Sequence, residues 1–459
     1  MVFCDKSHHK TKILITNGPS IEQHLHNVIN LIDGVRFNMS HAKREDIERV
    51  LDILNKYNIA KLMDLRGIKI RIVKTNIDEI KEGGIIHIGK DIKTSYHPVK
   101  DVKVGNTILI NDGKIKLKVI DIENNKNIVC KVIVGGIIKE GMGVNFPDTH
   151  LDISVIPKED LKNIKYAIDC GFEYIALSFV RNEEDVNELR DLLWKYGGGD
   201  ISIISKIETK EGLNNISEIA KCSDGVMVAR GDLGVELPIE YIPIEQKNII
   251  NTTNKYGKIS ITATQMLDSM VNNPYPTRAE ITDIANAIFD GTDCLMLSNE
   301  TSIGKYPVEA IKVMRRVAMV SEKNINKFGK FATVEGDSIS TGIAHATHTL
   351  YEQLKPNLII TPTWSGKSAI LVSKFKPDVP IVAITPDLKT FRKLKLAWNI
   401  VPCLRDEVNS IEDIFNIVEE TAKNYISEGT YITTLGHPMG HKMTNLIKVG
   451  HVFNESKKN

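Results

Sequence analysis

The chain of 459 residues is poor in cysteine, in aromatic side chains and in any surplus of one charge sign. Its six cysteines (Cys4, Cys130, Cys170, Cys222, Cys294 and Cys403) are scattered, with no C-x-x-C pair. That spacing argues against a zinc site and against a disulfide framework, and suits a reducing cytoplasm. Lys and Arg number 59 against 58 Asp and Glu, so no general field favours nucleic acid or a membrane surface, and neither is expected as a partner. No run approaches the roughly 20 apolar residues needed to cross a bilayer. The start, "MVFCDKSHHK", has no apolar core of signal-peptide length. Short repeats and low-complexity tracts are absent too. A soluble cytoplasmic protein of two or three domains is expected, and any chemistry on anions must come from local clustering of charge.

What is present is alternation. Eight apolar runs stand out: "KILIT" (12–16), "GVRFNMS" (34–40), "KLMDL" (61–65), "YIALSFV" (174–180), "ISIISKIE" (201–208), "GVMVARGD" (225–232), "ISITATQ" (259–265) and "CLMLSNE" (294–300). Between them, Ile47, Val50, Leu51 and Leu54, then Val186, Leu189 and Leu193, then Ile281, Ile284, Ala285 and Ile288 keep the spacing of helices with one buried face. Gly171, Gly197 and Gly291 follow such segments, where a left-handed cap is wanted. Strands alternating with helices imply parallel pairing, and eight of them predict an α/β (β/α)8 barrel. Nearly every run turns polar at its C-terminal end, and in such a barrel those ends share one face.

Residues 72–146 break the pattern. "TILI", the turn "NDG" and "KIKLKVIDI" have the period-2 texture of hairpins, which predicts a small β-barrel lid inserted after the third strand. From residue 331 onward, "NLIITPTWSGKSAI" and "VPIVAITPDLKT" predict a separate C-terminal α/β domain. The expected division is therefore 1–71 and 147–330 for the barrel, 72–146 for the lid and 331–459 for the C-terminal domain.

"SKIETKEG" (205–212) and "MVARGDLGVE" (227–236) carry the chemistry. Glu208 and Asp232 are expected at the ends of adjacent strands five and six, where two carboxylates with open positions suit a hard cation such as Mg²⁺. Lys206, two residues before Glu208, points to the same face and suits an oxyanion or phosphoryl group. Free N–H groups at Gly231 and the guanidinium of Arg36 are expected to bind the same anion. Thr264 offers a hydroxyl to orient water or relay a proton. A salt-bridge cluster without catalysis would also account for Lys206, Glu208 and Asp232 taken singly.

At these residues the chain resembles the pyruvate kinases. The matching segments are "TKILITNGPS", "VRFNMSH", "MDLRGIKIR", "VNFPDTHLDISVIPKED", "SKIETKEG", "VMVARGDLGVELP", "ITATQMLDSMVNNPYPTRAE" and "IFDGTDCLMLSNETSIGKYPVEA", in family order, with "PTWSGKSA" and "HPMGHKMTNLIKV" near the C-terminus. The resemblance implies the three domains just read, a homotetramer, and transfer of a phosphoryl group from phosphoenolpyruvate to ADP, giving pyruvate and ATP. It implies Lys206, Arg36 and Thr264 as catalytic residues, and Ser178, Gly231 and Asp232 beside them on the substrate. Asn38, Ser40, His41 and Arg71 would face the nucleotide. Glu208 and Asp232 would hold Mg²⁺, with Mn²⁺ as an alternative ion.

Several positions depart from the family pattern. Asn38, Ser40 and Asp64 would help hold K⁺, but the acidic residue of the usual "DTKGPEIR" is Lys69 here and its threonine is Leu65. A tethered ammonium can supply the charge the ion would bring, so activity without K⁺ is expected. Met142 stands where the lid often has a lysine, Asn299 replaces the glycine of "SGET", and Tyr275 an arginine. "TWSGKS" is no P-loop, because Thr361 stands where that motif needs its first glycine. Thr363, Ser365, Gly366, Lys367 and Ser368 resemble the family's regulatory phosphate pocket, which implies a phosphorylated effector. Two rival readings are a Mg²⁺-dependent pyruvate or oxoacid aldolase and a non-catalytic metabolite-binding protein on the same scaffold.

Overall fold

The computed structural model describes residues 3–4, 9–329, 331, 333–336, 338–408, 410–436 and 443–454. The stretch His437–Lys442, which opens the last of the family-like motifs, lies outside them. Eight parallel strands close a barrel: β1 (Lys12–Thr16), β2 (Gly34–Asn38), β3 (Ala60–Asp64), β4 (Tyr174–Leu177), β5 (Ser202–Ile207), β6 (Gly225–Ala229), β7 (Ile259–Ala263) and β8 (Cys294–Leu297). They are the eight runs read from the sequence, and neighbours in the chain are neighbours in the sheet. Both faces of these strands are covered, which is why they read as continuous apolar runs rather than alternating ones. The predicted helices follow, Arg44–Lys56, Glu183–Lys195 and Arg278–Phe289, with Ile47, Val50, Leu54, Val186, Leu189, Leu193, Ile284 and Ile288 buried. In the last of them Ala287, not Ala285, completes the buried face.

After β3 the chain leaves the barrel for a seven-stranded sheet running from Ile72–Thr75 to Val144–Asn145, with its own core of Ile72, Ile88, Ile110, Leu117, Ile128 and Val132. Its hairpin Thr107–Ile110 and Ile115–Glu123 turns at Asn111, Asp112 and Gly113, all with positive φ (55°, 53° and 81°), as the "NDG" signal requires. The tip of that turn rests on the barrel: a Cβ added to Gly113 would stand 3.7 Å from Val235.

The C-terminal sheet has six strands, and one of them is unexpected. Phe3–Cys4, assigned on the sequence to the barrel part of the chain, pairs antiparallel with Ile400–Leu404 at the edge of this sheet. The register sets Cys4 opposite Cys403, and the two form a disulfide. The expectation of no disulfide is corrected here. The pair is 399 residues apart, so only the strand pairing brings the sulfurs together.

The C-terminal domain packs on the end of the barrel where strands begin. Lys12 Nζ donates to Ile400 O (2.9 Å), and Tyr174 Oη to Lys393 O (2.7 Å). Asp293, just before β8, takes Lys374 and Lys376 from the other domain. The lid hangs over the opposite end, where strands finish.

Candidate active site

At that opposite end Asp64, the last residue of β3, gathers cations from its neighbours in the barrel. Arg36 of β2 donates from Nε to Asp64 Oδ2 (2.7 Å), and its Nη1 donates to Thr16 Oγ1 of β1 (2.9 Å). Lys206 of β5 lies 3.2 Å from Asp64 Oδ1, 2.9 Å from Glu208 Oε1 and 2.8 Å from Ser178 Oγ. Ser178 in turn donates to Leu65 O (2.8 Å). Strand alternation puts Lys206 and Glu208 on one face, as expected. All of these side chains are buried.

Two strand exits are bent into conformations that side-chain-bearing residues rarely adopt. Phe179, after β4, has φ 57° and donates its N–H to Glu208 Oε2 (2.8 Å), which orients the carboxylate. Thr264, after β7, has φ 68°, a costly conformation for a β-branched residue. Arg230 holds it there, donating from Nη2 to Thr264 O (2.6 Å) while Nη1 binds both oxygens of Asp283 (2.7 and 2.6 Å). Thr264 Oγ1 donates to Ala263 O (2.6 Å) and accepts the N–H of Gly231 (2.9 Å). The Gly231 N–H expected to be free for an anion is therefore taken by Thr264.

Asp232 does not end β6. It lies in the first turn of the helix Arg230–Glu236, half-exposed, and its carboxylate meets Lys69 Nζ at 3.1 Å. Lys69 also approaches Asp112 of the lid turn (3.7 Å). Asn145, where the lid rejoins the barrel, donates to Glu236 at the far end of the same helix (3.2 Å).

The electrostatics divide the cluster. Burial alone would lower the Lys206 pKa, but Asp64 and Glu208 outweigh it and hold the ammonium charged. Burial would raise Asp64, yet Lys206 and Arg36 keep it ionised. For Glu208 burial wins. With Asp232 and Asp64 adding repulsion that Lys206 only partly offsets, its pKa is pushed up to about 7. A buried carboxylate so close to neutrality, with a second carboxylate acting on it, is a place where added positive charge is welcome. Among the described residues no three His, Cys, Asp or Glu side chains form a ready metal cage. Two carboxylates with the remaining positions open fit Mg²⁺, which takes substrate oxygens and water as its other ligands.

The other expected residues are less concentrated. Asn38 Oδ1 accepts from the N–H of Ser40 (3.2 Å), while Ser40 and His41 are exposed on the loop after β2. Both Asp64 oxygens expected to help hold a monovalent cation are engaged by Arg36, Lys206 and Ser178. Arg71 is exposed and donates to Gly141 O in the lid (2.9 Å). In the C-terminal domain Gly366 N–H donates to Thr363 Oγ1 (3.0 Å), and Ser368 shares a hydrogen bond with Thr444. Lys367 and Ser365 are exposed there. Sequence reading missed Arg230, Phe179 and Thr16. Arg230 sits inside "VARGD" and has no spacing signal of its own, because its partners come from β7 and the helix after it.

A (β/α)8 barrel with a lid, and with a buried lysine, two acidic side chains and an arginine fork at one rim, defines an enzyme of anionic-substrate chemistry of the phosphoryl-transfer type. The sequence models for the pyruvate kinase barrel domain and the pyruvate kinase alpha/beta domain match residues 8–311 and 341–450. The pyruvate kinase of Methanocaldococcus jannaschii is 58% identical over 96% of this chain and 98% of its own length. That of Thermotoga maritima is 43% identical, with 96% and 98% covered. The crystal structure of a pyruvate kinase from Cryptosporidium parvum superimposes with a TM-score of 0.87 at 32% identity, covering 98% of this chain and 97% of its own. The chain belongs to the pyruvate kinase family. The family and the fold class read from the motifs are borne out, and with them the phosphotransferase activity; the aldolase and non-catalytic readings lose their ground. Family membership also implies a divalent-metal requirement. Among the described residues no helix is long and apolar enough to cross a membrane.

Proposed function

We propose that this chain moves the phosphoryl group of phosphoenolpyruvate to ADP in the last step of glycolysis, in the cytoplasm, with the residues above in defined roles. The bond from phosphorus to the enol oxygen breaks, and a bond to a terminal oxygen of ADP forms. The enolate then takes a proton on its methylene carbon and becomes pyruvate. Lys206 supplies positive charge where the phosphoryl oxygens gather negative charge, at a buried position where that charge is worth most. Arg36 adds a planar fork, aimed by its bonds to Asp64 and Thr16. Gly231 and Thr264 contact the substrate carboxylate, with Ser178 and Asp232 lining the substrate beside them. Gly231 and Thr264 reach it by exchanging their mutual hydrogen bond for bonds to substrate, and Thr264 relays the final proton. Glu208 and Asp232 would hold Mg²⁺, or Mn²⁺ in its place, and such an ion would supply positive charge against the negative charge of the substrate.

Asn38, Ser40, His41 and Arg71 serve the nucleotide from the boundary between barrel and lid. Lys69 takes over the charge of the family's K⁺, so we infer a K⁺-independent enzyme. The strand Phe3–Cys4 apart, the division at residues 71, 146 and 330 is kept. Family resemblance supports a homotetramer and a phosphorylated effector at Thr363–Ser368.

The observation that carries this reading is the contact set of Lys206, with Asp64, Glu208 and Ser178 all within 3.2 Å at one rim. An initial-rate assay of pyruvate formation from phosphoenolpyruvate and ADP tests it. Lys206→Met should abolish turnover while Mn²⁺ binding persists, and surviving turnover would remove the role given to Lys206. The same assay in potassium-free buffer should keep its rate. A large stimulation by K⁺ would refute the substitution by Lys69.

A further inference from the structure

A cavity of about 510 Å³ lies between the segment that leads from the lid back to the barrel and the loops after β4 and β5. Lys206, Asp64, Arg36 and Thr264 take no part in its walls, so it is separate from the catalytic cluster. Its size falls within the range of small-molecule sites, roughly 300–1,000 Å³. Phe146, Leu151, Val155 and Phe179 give it apolar surface, and a few charged groups interrupt that surface.

Those charges select an occupant. The cations on the wall are already matched: Lys69 by Asp232 (3.1 Å), Lys210 by Asp148 (3.1 Å) and Arg181 by Asp185 (2.8 Å). Glu211 has His150 at 2.7 Å. Glu236 is the exception. Its Oε1 accepts from the Asn145 amide (3.2 Å) and its Oε2 from the Lys210 N–H (3.0 Å), and among the described residues it forms no ion pair. It also ends the helix Arg230–Glu236, where unpaired carbonyls add negative potential. Burial raises its pKa, and Asp232 and Glu211 add repulsion, so a positive charge placed beside it is stabilising. A metal ion does not suit the place. Among the described residues no three His, Cys, Asp or Glu side chains gather as a cage, and apolar walls leave a hard cation short of oxygen ligands.

We propose that this cavity is a second ligand site, which takes a small monocationic amine. The ammonium pairs with Glu236, and the apolar body of the ligand lies against Phe179, Phe146 and Leu151. Such a ligand supplies the one charge the wall lacks and covers apolar surface that would otherwise face water.

The test uses 2-phenylethylamine, with 2-phenylethanol as a neutral counterpart of nearly the same shape, titrated calorimetrically into the full chain at neutral pH. One amine should bind per chain with Kd of about 1 mM, the strength expected of a ligand of about nine heavy atoms. The alcohol should bind about tenfold more weakly, the fold-change of one charge-assisted hydrogen bond. Glu236→Gln should erase that preference by weakening the amine alone, since the amide keeps the shape of the site. Lys206→Met, which alters the charge of the catalytic rim, should leave amine binding within about twofold, because intervening solvent screens that distance. Wild type that binds neither compound, or binds both equally, overturns the proposal without recourse to any variant. A Glu236→Gln chain that keeps the preference for amine overturns it as well. So does a change beyond about fivefold in Lys206→Met, which would move the amine to the catalytic carboxylates.

Discussion

Replacing Asp293 by asparagine should weaken the joint between the barrel and the C-terminal domain by an amount that depends on pH. Asp293 is completely buried and faces two completely buried lysines of the other domain, Lys374 and Lys376, the latter at 3.0 Å. Its own pKa is held low, since Lys374 and Lys376 overcome the effect of burial. The amines are pulled the other way: burial lowers both despite Asp293, Lys376 to about 8. Without the carboxylate the lysines shed protons rather than remain bare buried charges. Keeping one lysine neutral at pH 7 costs about 1.4 kcal/mol for each pH unit below its free value near 10.4, hence about 5 kcal/mol. The unfolded chain retains the protons that the folded variant gives up, so the variant gains stability as pH rises through 7–10. Wild type gains also, but only above pH 8, as Lys376 loses its proton. The gap between them should then narrow by about 1.5 kcal/mol between pH 7 and pH 9. If the whole chain melts as one unit, its unfolding entropy makes about 1 kcal/mol worth about 1 °C, so calorimetry should record a loss of about 5 °C at pH 7. Adding Lys374→Met and Lys376→Met to Asp293→Asn should recover part of it by removing the stranded amines. A loss below about 1 °C, a gap that does not shrink with pH, or a triple variant no better than the single would refute the reasoning.

Other outcomes follow from the site. Arg230→Met removes the bonds that hold Thr264 at positive φ, and should lower kcat by about a hundredfold with little change in melting temperature, checked by initial rates and scanning calorimetry. Because burial and the Asp232 and Asp64 charges raise Glu208 to about 7, a divalent ion must displace a proton below that pH. Mn²⁺ affinity in wild type should fall about tenfold per unit as pH drops below 7, and Glu208→Gln should bind weakly with no such slope.

What was legible in the chain and what was not have a common physical origin. Barrel strands are buried on both faces, so their composition alone marks them, and β1 matches its run residue for residue. The lid hairpin was legible because three successive positive-φ residues demand Asn, Asp and Gly. Lys206 and Glu208 were legible as a pair because a two-residue spacing on a strand fixes their shared face. The features that escaped depend on contacts made across the fold. Asp232 was placed on a strand end because "VMVARGD" reads as one apolar run, yet Arg230, drawn to Thr264 and Asp283, starts a helix two residues earlier. Cys4 and Cys403 meet only because the first strand of the chain joins the last domain. Lys69 illustrates the limit best. Its charge, and its departure from the family motif, were visible, and from them came the idea of a tethered substitute for a monovalent ion. Its partners were not visible, since one belongs to a helix 163 residues away and the other to the lid that the same residue helps suspend. A lysine serving only as a local counter-charge would need just one acid beside it. One that reaches an acid on the barrel and another on the lid takes its place from the assembled fold rather than from the motif that carries it.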